Sequence, residues 1–130
     1  MLGSTRNVRV FIAPGPTDMR KGYNGLFAMA RDLIGEDPLS GHFFLFVARN
    51  RKRAKVLFWD GTGLCIFQKR LERGRFVAPW DRPGDAAFTM TGSELRLFIE
   101  GSEKVRWPLS PDVFSAHEPP SEVPSSTQVR

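Results

Sequence analysis

The chain has 130 residues, 41% of them apolar, with 11 Phe and a net charge of +5. That length supplies one hydrophobic core, so a single domain is expected rather than two. The longest apolar run, Phe43 to Ala48, is far too short to span a bilayer. Met1 to Val10 holds no apolar leader segment, so neither membrane insertion nor secretion is expected, and the cytoplasm is the expected location.

In chain order, Val8 to Ile12 is a short β-favouring run closed by Pro14-Gly15-Pro16. Leu26, Met29, Ala30, Leu33 and Ile34 recur at helical spacing, which predicts an amphipathic helix from about Asn24, a candidate N-cap, to Ile34, with Gly35 as its stop. Phe43 to Val47 is continuously apolar and short, the pattern of a central strand covered on both faces. Ala54 to Trp59 and Leu64 to Gln68 flank Asp60-Gly61-Thr62-Gly63, a hairpin signature in which the glycines are expected to supply positive φ. Shorter strands are expected over Arg75 to Ala78 and Ala87 to Met90. Thr91 and Glu94 match a capping box, so a short helix to about Glu100 should bury Leu95, Phe98 and Ile99 and stop at Gly101. From Pro108 the chain turns rich in Pro and Ser, and residues 108–130 are expected to be a disordered tail. The fold class that follows for residues 1–107 is α+β: a mostly antiparallel sheet of about four to six strands, one packed amphipathic helix and a short C-terminal helix.

The charge is concentrated. Between Arg49 and Phe76 stand nine basic side chains (Arg49, Arg51, Lys52, Arg53, Lys55, Lys69, Arg70, Arg73 and Arg75) against Asp60 and Glu72. This segment supplies more than the net charge of the whole chain. Cations at the ends of a hairpin suit a polyanion such as nucleic acid, although a solvated basic face is the common alternative. Arg20 and Lys21, in Thr17-Asp18-Met19-Arg20-Lys21-Gly22, are expected to lie beside the hairpin and extend one cationic surface; Thr17 or Asp18 capping an earlier helix start is the competing explanation. Phe58, Trp59, Phe67 and Phe76 interleave the cations as stacking rings would, but strand alternation sends most of them to the core. Trp59 and Trp80 are the two expected nearer the surface, each as packing rather than stacking residues.

Other chemistry finds less support. His42, His117 and Cys65 are too scattered for a zinc site, and no cofactor is expected. His42 reads as a loop histidine that caps backbone groups, and Cys65 as a small core thiol. Of the acids that a two-metal nuclease would need, Asp60 opens a turn and Asp37 precedes a Pro, which leaves Asp18 without a structural explanation. Phosphate-loop and nucleophile-elbow motifs are absent from the sequence, so a non-enzyme is expected.

Four blocks carry a resemblance: Thr17 to Gly22, Asp37-Pro38-Leu39-Ser40-Gly41-His42, Val56 to Cys65, and Lys69 to Phe76. With Leu95 to Trp107 they cover residues 8–107, and in this order they resemble the TnpB-type accessory proteins encoded by the second open reading frame of bacterial insertion-sequence family sixty-six. The resemblance implies a small protein that assists transposition beside a separate DDE-type transposase. It assigns no role to the matching residues, which are Asp18, Arg20, Lys21, Gly22, Gly41, Trp59, Asp60, Gly61, Lys69, Arg70, Arg73 and Gly74. Charge and resemblance together lead to the expectation of a non-catalytic factor that binds DNA, with the element ends as the expected site, through Arg20, Lys21 and the Arg49 to Arg75 cations. Its partners would be DNA, the transposase and other element-encoded proteins. The alternative is a module that docks on the transposase without significant DNA affinity. A metal-dependent nuclease using Asp18 and Asp60 has the least support.

Overall fold

The computed structural model describes residues 8–81 and 89–101. Strands β1 (Arg9–Ile12), β2 (Phe43–Val47), β3 (Arg53–Trp59), β4 (Leu64–Arg70) and β5 (Thr89–Thr91) form one five-stranded sheet in the order β4-β3-β2-β1-β5. Helix α1 (Tyr23–Ala28), which continues as a π-helical stretch over Met29–Ile34, lies between β1 and β2 in the chain. This crossover lets β1 and β2 pair in parallel, and the other three pairings are antiparallel. Helix α2 (Gly92–Ile99) follows β5. The expected α+β class and mostly antiparallel sheet are both present.

Side-chain alternation sends the sheet's apolar residues into two cores. Phe44, Phe46 and Leu57 join Leu26 and Ala30 of the first helix. Val10, Ile12, Leu45, Val47 and Val56 join Leu95, Leu97 and Phe98 of α2. The strand covered on both faces is β2, which is why Phe43 to Val47 is apolar without interruption. Phe76 stacks on Phe98 with ring centroids 5.4 Å apart and anchors the segment after β4 to α2.

Several local expectations are corrected. Gly22 is the N-cap of α1, its carbonyl accepting from Leu26 N at 2.9 Å, and Asn24 is not the cap. The stretch ends in an i→i+5 bond, Gly35 N to Ala30 O at 2.9 Å. This wider turn advances fewer degrees per residue than an α-helix and carries Leu33 off the buried side, leaving it 54% exposed. Gly35 stops the helix as expected, at φ 84°. Arg75 to Ala78 is not a strand; its Phe76 N–H bonds instead to the Arg51 carbonyl at 2.7 Å. In the hairpin turn only Gly61 has positive φ, and Gly63 does not. The capping box is formed by Thr91 and Glu94, and Leu97 joins Leu95 and Phe98 in the buried stripe in place of Ile99, which is partly buried. The expected strand over 87–90 is seen from Thr89, and its earlier residues, like the 108–130 tail, lie outside the described residues. Among the described residues no helix is long and apolar enough to cross a membrane.

Candidate functional site

The cations gather at the open end of the β3–β4 hairpin, away from the Asp60 turn. The register sets Arg53 directly opposite Arg70, and Lys55 opposite Gln68, on the face that α1 covers. Like charges opposed in this way repel, and the nearest compensation is Glu72, whose Oε2 lies 3.5 Å from Arg70 Nη2. The two arginines and Lys55 border a depression of about 330 Å³ that Met19 and Gln68 also line.

A second, wider depression of about 650 Å³ lies between the β2–β3 loop and the segment after β4, lined by Arg49, Asn50, Arg51, Lys52, Gly74 and Arg75. Backbone bonds hold these two segments together. Leu71 N donates to the Lys52 carbonyl at 2.8 Å, Phe76 N to the Arg51 carbonyl at 2.7 Å, and Lys52 Nζ reaches the Gly74 carbonyl at 3.3 Å. Arg51 is held at φ 61°, a left-handed conformation uncommon for a side chain of this size, and its guanidinium lies 3.5 Å from the Phe76 carbonyl. Asn50 Oδ1 accepts from Lys52 N at 2.9 Å and closes the turn. Arg49, Lys52, Arg53, Arg70, Arg73 and Arg75 are exposed.

Besides Arg51 and Lys52, two more of the expected cations, Lys55 and Lys69, are engaged within the fold. Lys55 is only 8% exposed, and its Nζ donates to the Lys21 carbonyl at 2.8 Å, so it ties the entry of α1 to β3. Lys69 points to the opposite face and donates to the Ile99 carbonyl at 3.0 Å, which satisfies an orphan acceptor at the end of α2. The Lys55 bond places the Lys21 backbone beside the hairpin. Arg20 is bound to Asp18 at 2.8 Å. That hydrogen-bonded pair holds the Asp18 carboxyl well below the usual carboxylate range and raises the guanidinium's own value. Asp18 also accepts from Arg20 N at 2.9 Å, which supplies the structural role that the sequence left open.

The remaining candidates have structural partners as well. Asp60 accepts from Thr62 N and Gly63 N, each at 2.9 Å, and these backbone donors lower its pKa. Asp37 caps Leu39 N at 2.9 Å. His42 Nδ1 accepts from Arg9 N at 3.1 Å, with its ring edge-on to Phe11. Cys65 is partly rather than fully buried, with Sγ 3.5 Å from Asp60 Oδ2; desolvation and that carboxylate raise its pKa. Trp59 and Trp80 are half-buried, Trp80 against the α2-side core. Among the described residues no group of three or more His, Cys, Asp or Glu is placed to hold a metal ion.

A family model described as "IS66 Orf2 like protein" matches residues 8–107. The uncharacterized protein y4hO of Sinorhizobium fredii (strain NBRC 101917 / NGR234) is 41% identical over 101 residues, covering 78% of this chain and 86% of its own. A second uncharacterized protein of the same strain, y4jC, is 35% identical over 106 residues, covering 82% of this chain and 89% of its own. No solved structure matches. The match spans every described element from β1 to α2, including both basic segments, and the chain belongs to the IS66 Orf2 like family of transposition-associated proteins.

Proposed function

We propose that this chain is a non-catalytic accessory factor for transposition that binds DNA through the basic end of its sheet and assists a separate transposase. The observation that carries this reading is the cross-strand pair Arg53 and Arg70, both exposed and opposed beside a depression on the α1 side of the sheet. The fold holds these like charges together at an energetic cost, and backbone phosphates, one against each arginine, offset that cost. Arg49, Lys52, Arg73 and Arg75 flank the pair and extend the contact along a backbone, with Lys21 beside them. Lys55 and Lys69 act as supports. Contacts of this kind give affinity and position more than base readout.

The test is a titration of the purified protein against fluorescent element-end duplex and scrambled duplex at several salt concentrations. An Arg53→Glu/Arg70→Glu variant is run in parallel, and both proteins are scored separately for binding to the transposase. Binding to duplex that collapses in the variant supports the proposal, and the gap between the two duplexes measures specificity. Absence of duplex binding at low salt, with transposase binding lost in the variant, overturns it in favour of a docking module.

A further inference from the structure

The sheet ends at β4, and among the described residues nothing pairs with the outer edge of this strand. β4 is seven residues long, and its register with β3 runs from Arg53↔Arg70 to Trp59↔Leu64 without a bulge, so the edge is straight and available. Bonds at the two ends of the ladder fix which amides face outward. Asp60 N donates to the Gly63 carbonyl at the tip, and Leu71 N to the Lys52 carbonyl at the base. Antiparallel alternation between them turns Cys65, Phe67 and Lys69 toward β3, and leaves the N–H and C=O of Leu64, Ile66, Gln68 and Arg70 facing out. Charge along this edge is lopsided. Asp60 stands at the tip, no charge falls between Leu64 and Gln68, and Lys69, Arg70 and Arg73 crowd the base with Glu72 as the one acid.

We propose that a second copy of this chain pairs with that edge, β4 antiparallel to β4, about a two-fold axis at Phe67. This register sets Ile66 opposite Gln68 and Leu64 opposite Arg70, so the outward amides of each copy meet those of the other. Phe67, 38% exposed on the α2 face, then covers its own counterpart. The Asp60 tip of one copy falls beside Arg73 of the other. Parallel pairing instead stacks base on base and repels, so charge selects the antiparallel arrangement. Asp60 remains ionised to meet Arg73, because the Thr62 and Gly63 amides stabilise its carboxylate. The two-fold axis stands perpendicular to the sheet and keeps both α1 faces on one side, with the two Arg70 positions about 20 Å apart along the strands.

Sedimentation equilibrium of the full chain over a range of concentrations, combined with amide exchange, tests the pairing. The expected result is a mass approaching two copies, with protection at Leu64, Ile66, Gln68 and Arg70 that rises with concentration. Phe67→Lys sets two ammonium groups face to face and should weaken association about fivefold or more. Gln68→Pro removes an outward N–H that β3 does not use and should abolish association while the circular dichroism of the fold is retained. A single-copy mass at every concentration overturns the proposal, as does association that survives both substitutions. Protection of the four amides that is independent of concentration also overturns it, because the edge is then covered by its own chain. The readout is mass rather than DNA binding, so failure here is distinct from failure of the function proposed above.

Discussion

Lys55 shows how one side chain's surroundings decide its role. Its side chain is largely buried and its ammonium donates to a backbone carbonyl, that of Lys21. Removing the donor leaves that acceptor without its protein partner, so Lys55→Ala should lower unfolding stability by about 1–3 kcal/mol in a urea titration. Arg53→Ala, two residues away on the same face but exposed, should change stability by about 0.5 kcal/mol or less, because it also relieves repulsion with Arg70. Equal costs for the two would contradict these assignments. Asp60 makes a prediction in pH. Its folded-state pKa is depressed by turn amides, so its stabilisation is complete above the ordinary carboxylate range and is lost as pH falls through the lowered folded value. The protection factors of the Thr62 and Gly63 amides, taken relative to intrinsic exchange at each pH, should therefore fall only on acidification below that range, and Asp60→Asn should flatten the dependence.

Among the elements, α2 depends on its two ends. Thr91 Oγ1 accepts from Glu94 N at 3.0 Å and Glu94 Oε1 from Thr91 N at 2.8 Å, so Thr91→Ala should cost about 1 kcal/mol by thermal or chemical unfolding. At the other end Gly101 sits at φ 75°, and a Cβ there would lie 2.5 Å from Leu71 Cδ1. Gly101→Ala should therefore cost more than Thr91→Ala, since it adds a clash to backbone strain. The elements legible in the sequence were those with a local cause: the Asp-Gly turn, the capping box, the uninterrupted Phe43 to Val47 run and the Gly35 stop. What escaped depends on tertiary partners. The π-helical stretch has no spacing signature that distinguishes it from an α-helix, so Leu33 was assigned to the buried side. Arg75 to Ala78 has strand-like composition, but Phe76 is claimed by the Arg51 carbonyl and by Phe98, two partners far away in sequence.

At the scale of the whole molecule, the sheet separates core, acid and cations by position. Its middle is buried between two helices, its acid-tipped turn lies at one end of the hairpin, and its exposed arginines collect at the other. The concentration of charge was legible from composition along the chain. Which cations reach solvent was not, because Lys55 and Lys69 are withdrawn by carbonyls that only the folded chain brings near. The central claim is that Arg53 and Arg70 contact backbone phosphates, and the salt dependence of duplex binding tests it most directly. The slope of log affinity against log salt should fall by about 1.8 in Arg53→Gln/Arg70→Gln, the value for two lost phosphate contacts at about 0.9 each. An unchanged slope, whether or not affinity falls, would contradict the claim.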